Sequence, residues 1–191
     1  MLVFLDFEAS SLAKLSYPIE VAWVFEDGTE ESHLIRPPAQ WTDWDARAEA
    51  IHHIPRARIE AEGTPHDVVA RRMIEVLGGH ALFASAPSWD GKWLSALLRA
   101  AKLPRHALRL RDTEEAQRET ATAILRPAVP AASLGVAVAN VIALAEVRER
   151  DVPVHRALAD AREEWEHWCA VKCAAEAQAA DWSARSVQTG A

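Results

Sequence analysis

The chain opens on an uninterrupted apolar run, Leu2-Val3-Phe4-Leu5, that gives way at once to Asp6 and Glu8. A run without polar alternation reads as a strand buried on both faces. Such a strand belongs inside a sheet, and the patterning that follows supplies the rest of it. Pro18 to Phe25 reads as a second strand, Asp27-Gly28 as a hairpin turn, and Glu31 to Ile35 as a third strand ended by Pro37-Pro38. Helical patterning follows around Trp44 to Ile51. A clearer helix runs from Thr64-Pro65 to about Leu77, with Thr64 as its N-cap before a proline at the first helical position. Gly78-Gly79 stops it. Ala81 to Ala84 is a short strand, and a helix from about Ser88 to Lys102 turns Trp93, Leu94, Leu97 and Leu98 inward. Leu108 to Leu110 is the last strand. The remainder is helical, broken at Pro127, Pro130 and Pro153, with a final helix from near His155 to about Ala180. The order predicts an α/β fold, a mixed sheet covered by helices.

The chain has 191 residues, a length that suits one domain with one full core. No internal repeat or linker interrupts it. The expectation is therefore a single domain over 1–182 and a polar, frayed tail over 183–191. The only cysteines, Cys169 and Cys173, exclude a disulfide framework and a Cys-rich zinc site. Met1 to Leu5 is too short for a signal-peptide core and lacks a basic leader, and no stretch is long enough to span a bilayer. The expected location is the cytoplasm, with no membrane partner. A net charge of −7 argues against a broad basic surface for nucleic acid, but not against recruiting phosphate through divalent cations.

Chemistry concentrates in a few acids. On a strand, Asp6 and Glu8 point to one face while Phe7 points to the other. Two carboxylates held so close repel, and their ionised forms need a compensating cation, which a hard divalent ion bound by oxygens would supply. Asp90 follows Trp89 where a strand gives way to a helix. His155 and Asp160 stand at i and i+5, about 140° apart on an ideal helix, so they converge only if His155 precedes the helix or lies in its first turn. Pro153, just upstream, favours such a break. Taken singly, each has a plainer reading: a solvated loop for the acidic pair, a helix cap for Asp90, a surface pair for His155 and Asp160.

Together they are more specific. Asp6-Phe7-Glu8, then Asp90 after an aromatic, then His155-Arg156-Ala157-Leu158-Ala159-Asp160-Ala161, come in one order. This resembles the DnaQ-like (RNase T/DnaQ) exonuclease superfamily, in the branch whose last motif is His-x4-Asp. The resemblance covers roughly residues 1 to 165, and Ile19-Glu20-Val21 and Ile51-His52 match its pattern as well. It implies a ribonuclease H-like fold: a five-stranded mixed sheet, the first three strands antiparallel, with α-helices on both faces. It also implies two Mg²⁺ or Mn²⁺ ions and processing from a free 3′ end. Two departures stand out. Ala9-Ser10-Ser11-Leu12 replaces the family's frequent Thr-Thr-Gly-Leu, and Ser85-Ala86-Pro87-Ser88 occupies the region where His-Asn-Ala is frequent.

On that resemblance, Asp6, Glu8, Asp90 and Asp160 are the expected metal ligands and His155 the general base, a residue whose ordinary pKa suits neutral pH. The chain is then expected to be a 3′→5′ exonuclease releasing nucleoside 5′-monophosphates from DNA or RNA. Ala9 and Leu12 are expected at the terminal nucleotide, Leu12 as a wedge between terminal bases. Lys92 to Arg111 holds six Lys and Arg residues and no acid, so Lys92, Arg99, Lys102 and Arg105 are expected to follow the phosphate backbone. A solvated basic helix face is the alternative. Competing functions are a phosphodiesterase for short oligonucleotides and a catalytically weak nucleic-acid-binding module. The sequence leaves the DNA or RNA preference open and is compatible with a homodimer.

Overall fold

The computed structural model describes residues 1–146 and 155–189. They fall into two compact units, one made of residues 1–112 and 155–165, the other of residues 113–146 and 166–189.

The first unit is built on a mixed sheet. Its elements are β1 (Leu2–Ala9), β2 (Pro18–Phe25), β3 (Glu30–Arg36), α1 (Ala46–His52), α2 (Arg56–Glu62), β4 (Thr64–Pro65), α3 (His66–Leu77), β5 (Ala81–Ala84), α4 (Pro87–Ala100) and β6 (Leu110–Asp112). The strand order is β4-β3-β2-β1-β5-β6. β1, β2 and β3 are antiparallel neighbours, and β5 and β6 continue the sheet in parallel on the far side of β1. The hairpin turn forms at Asp27-Gly28, where Gly28 takes φ 85° and Asp27 Oδ1 accepts from Thr29 N–H at 2.9 Å. Val3, Leu5 and Phe7 of β1 enter the main core with Val21 and Trp23 of β2, Met73 and Leu77 of α3, and Leu94, Leu97 and Leu98 of α4. Phe4, Asp6 and Glu8 are left on the opposite face, as strand alternation requires.

The fold is the ribonuclease H-like α/β class that the sequence implies, with local corrections. The sheet has six strands instead of five, the addition being the two-residue β4, parallel to β3 through Ile35↔Thr64 and Arg36↔Pro65. Thr64 is thus part of a strand and not a helix cap, and α3 starts at His66. Gly63 explains the difference: a Cβ there would lie 2.7 Å from Arg36 N and 2.3 Å from Ile59 O. Only a residue without a side chain lets these backbones approach so closely, and the approach draws Thr64 and Pro65 into sheet pairing. The last strand sits two residues later than expected, because Leu108 packs into the core and leaves the pairing to Leu110–Asp112. α2 is not evident from the sequence.

The second unit contains α5 (Thr113–Leu125), α6 (Ala131–Glu146) and most of α7 (Ala157–Thr189), which reaches it from Glu166 onward. α5 and α6 are separated at Pro127 and Pro130, as expected. Leu125, Val138, Val141 and Val171 form its core, and Trp168 Nε1 donates to Thr120 Oγ1 at 2.9 Å. The expected break at Pro153 lies outside the described residues. α7 runs on to Thr189 and does not fray at 183. No glycine or proline occurs between 155 and 189, and Asp181 and Arg185 add an i,i+4 ion pair. No described helix is long and apolar enough to cross a membrane.

Candidate metal centre

β1 is a central strand, with β2 antiparallel on one side and β5 parallel on the other. In α/β sheets, ligands gather outside the carboxyl ends of parallel strands. β1 ends in Asp6, Glu8 and Ala9, and β5 leads through Ser85-Ala86 into α4, whose first turn carries Asp90. Asp160 lies in the first turn of α7. One carboxylate oxygen from each of Asp6, Glu8 and Asp160 lies within 4.8 Å of the others, and all three side chains stay partly open to solvent.

Asp90 is not within that tight group, yet its charge is felt by both Asp6 and Glu8. It is 2 % exposed, and its Oδ2 has no hydrogen-bond partner among the described residues. An orphaned, buried carboxylate oxygen is rare, because leaving it unpaired costs about 1–3 kcal/mol or more. Burial pushes Asp90 up to about 7, against the pull of hydrogen bonds from the backbone at Ala86, Phe7 and its own main chain.

The other acids show the same strain. Burial first, then the charges of Asp90, Glu8, Asp160 and Glu164, hold Asp6 well above the usual carboxylate range. Burial, with Asp160 and Glu20 nearby, pushes Glu8 up to about 8, while Arg156 pulls it down. Burial also raises Asp160, with His155 opposing. Four carboxylates that resist ionisation in the protein alone fit a hard cation, which would supply the missing positive charge and use the orphaned Asp90 oxygen.

His155 is exposed and adopts a left-handed backbone conformation, φ 48°, immediately before α7. It therefore precedes the helix, which is the placement that lets it and Asp160 converge.

Ala9 is buried at the end of β1, where the β1–β2 register shifts between Glu8 and Ala9. Leu12, by contrast, is 70 % exposed on the following loop. That loop is held from two sides. Ser10 and Ser11 both donate through Oγ to Asp43 Oδ2. Lys92 Nζ donates to Ala13 O at 2.7 Å and to Ser16 Oγ at 2.9 Å, and Trp93 Nε1 donates to Ser16 Oγ at 3.0 Å. Trp89, expected to face inward, is instead 39 % exposed, and Lys92 lies over its ring, 4.9 Å from the centroid. Its ammonium thus fastens a loop beside the acids. Arg99, Lys102 and Arg105 belong to the other end of α4 and the turn after it, Arg99 being about 13 Å along the helix axis from Asp90.

The sequence marks Glu20 only as part of the Ile19-Glu20-Val21 pattern and assigns no role to it, although it is a heavily engaged acid near the site. It stands directly opposite Glu8 in the β1–β2 register and ion-pairs with Arg156. One signal was available: Glu20 is the single charged residue in a strand otherwise built of apolar side chains. A charge in such a strand must be paired.

No protein-family model and no curated protein matches the sequence. Solved structures do match the fold. The zinc-bound Escherichia coli exonuclease I–ssDNA complex superposes with a TM-score of 0.64 at 17% identity, over 90% of this chain and 40% of that one. E. coli exonuclease I in complex with a dA16 oligonucleotide gives 0.64 at 15% identity, over 95% and 42%. The chain thus spans about two fifths of the length of these exonucleases, and it shares with them the ribonuclease H-like fold.

Proposed function

We propose that this chain is a metal-dependent 3′→5′ exonuclease that hydrolyses the terminal phosphodiester bond of DNA or RNA and releases nucleoside 5′-monophosphates. The observation that carries the reading is the convergence of Asp6, Glu8 and Asp160 within 4.8 Å at the end of β1, with the buried, unsatisfied Asp90 beside them. The likeness to exonuclease I, solved with single-stranded DNA, supports a nucleic-acid substrate.

Asp6, Glu8, Asp90 and Asp160 would hold two Mg²⁺ or Mn²⁺ ions, which when bound supply a neutralised phosphate, an activated water and a stabilised leaving oxygen. The chain's own residues provide the rest. The carboxylates fix where the scissile phosphate sits. The imidazole of His155, exposed at the entry to α7, takes the proton of the attacking water on a ring nitrogen and releases it to solvent. Leu12 projects from a loop that Asp43 and Lys92 keep in place, so it can wedge beside the terminal base without ordering the loop at each encounter. Ala9 packs its side chain into the core, so it would meet that nucleotide through its backbone alone.

The test is a nuclease assay on 3′- and 5′-labelled DNA and RNA strands, with Mg²⁺ and with a chelator. Mononucleotide release from the 3′ label, dependent on Mg²⁺, is expected. Release from the 5′ label first, or activity indifferent to chelation, would remove the reading.

A further inference from the structure

Glu20 is 4 % exposed in the middle of β2, and a carboxylate buried so far must be paired. Arg156 donates to it twice, Nε to Oε2 at 3.0 Å and Nη2 to Oε1 at 2.6 Å, and the backbone N–H of Ala157 donates to Oε2 at 3.1 Å. Both partners stand at the entry to α7. Ala157 is its first residue, and its amide is one of the donors that a helix cannot satisfy internally. Glu20 therefore does the work of an N-cap from a strand 137 positions away in the chain.

The clamp is one helical turn from the metal centre. Arg156 O accepts from Asp160 N–H at 3.1 Å, which ties the candidate ligand to the gripped residue. On the sheet side, Glu20 is the cross-strand partner of Glu8, so both carboxylates share a face. His155, next to Arg156, sits in a backbone conformation that residues with a side chain avoid, and it persists only where its neighbours hold it. Each residue of slip along a helix turns a side chain by about 100°. A slip of one position at Arg156 would carry Asp160 away from Asp6 and Glu8.

We propose that Glu20 is a positioning residue: by gripping Arg156 and the Ala157 amide, it sets the rotation of the first turn of α7 and thereby holds Asp160 against Asp6 and Glu8. This inference rests on the metal-dependent nuclease reading above and deepens it. The next turns of α7 have their own attachments. Arg162 makes a bidentate pair with Glu30, and Trp165 Nε1 donates to Glu26 O at 3.3 Å. Those contacts keep the helix docked when Glu20 is changed, so the effect expected is misplacement of a ligand and not loss of the fold.

The experiment compares the full chain with its Glu20→Gln, Arg156→Lys and Glu30→Gln variants. Mn²⁺ affinity is measured by calorimetric titration, and kcat and KM on a 3′-labelled oligonucleotide at saturating Mn²⁺. Supporting groups around metal ligands typically contribute 10- to 100-fold to affinity or rate. Glu20→Gln should weaken Mn²⁺ binding about 10-fold and lower kcat up to about 100-fold, with KM within about threefold. Arg156→Lys, which keeps the charge but not the bidentate fork, should lose less of each. Glu30→Gln should stay within about twofold of wild type, since it touches only the exposed second attachment. A Glu20→Gln protein with native circular dichroism and wild-type Mn²⁺ affinity overturns the proposal, as does a Glu30→Gln variant that loses equally. If Glu20→Gln does not fold, Arg156→Lys decides on the same comparison. A wild-type chain that binds no Mn²⁺ overturns the metal-site reading and this inference with it, whereas normal wild-type binding with unaffected variants overturns the inference alone.

Discussion

Among single residues, His155 and Asp160 separate most cleanly. His155 is exposed before α7, while Asp160 lies among the carboxylates. Replacing His155 with Ala removes a proton acceptor and should reduce kcat by about 10²- to 10⁴-fold, with Mn²⁺ affinity and melting temperature little changed. Asp160→Asn should weaken Mn²⁺ binding as well. Raising the pH should partly restore His155→Ala, because hydroxide replaces the lost base, and should not restore Asp160→Asn at limiting metal. Steady-state kinetics over pH 6.5–9 check both, and a His155→Ala enzyme with wild-type turnover would refute the general-base assignment. The roles proposed for these two residues are those that the family resemblance of their motif implies. Those of Glu20 and Lys92 are not. Glu20 finds Arg156 at a separation of 136 positions, and Lys92 finds Ala13 at 79. Neither strand nor helix periodicity carries information over such spans, so an isolated acid in an apolar strand can announce that it has a partner without saying which.

The elements that carry a pattern of their own were readable in advance, and those that depend on a neighbour were not. β1 and β2 declare themselves through apolar runs bounded by turn residues, and α3 through a 3.6-residue stripe. β4 exists because Gly63 lets two backbones close on each other, and its two residues have no pattern of their own. Gly63→Ala should therefore destabilise the protein by about 1–3 kcal/mol, since the three nearest atoms its Cβ would meet are all backbone and cannot turn aside. The denaturant midpoint measures it, and an unchanged midpoint would mean that the two segments separate without cost. α4 makes a second testable element. Its Lys92 end braces the loop of Leu12, while Arg99, and Lys102 and Arg105 just past the helix, lie toward its far end. Neutralising Arg99, Lys102 and Arg105 together should leave dinucleotide cleavage intact and flatten the salt dependence of binding to a longer single strand, by about two units of slope if all three meet phosphates. An unaltered slope would identify a merely solvated helix face.

For the molecule as a whole, the crowded acids of the candidate metal centre should make stability a function of pH and, if they bind metal as proposed, of divalent ions. Glu8 is lifted from its usual 4.5 to about 8, Asp90 from 3.8 to about 7, and Asp6 and Asp160 are raised too. A folded-state pKa above the unfolded value means that the native protein holds protons the unfolded chain has released. The associated stability is full below about pH 4 and is lost as the pH climbs toward 8. Without divalent ions the melting temperature should fall between pH 5 and 8.5, and added Mg²⁺ should raise it most at the alkaline end. A flat profile, or an equal Mg²⁺ effect at both ends, would argue against ion binding by these acids. The same crowding of carboxylates has a consequence for exchange with the medium. Acids whose pKa values burial raises would release protons on binding a cation, so loading would be a displacement and not a simple addition. Each divalent ion that enters should acidify a weakly buffered solution, and the heat of titration should change with the ionisation enthalpy of the buffer. In that sense the proposed site would act as a small reservoir of acid, discharged when metal arrives.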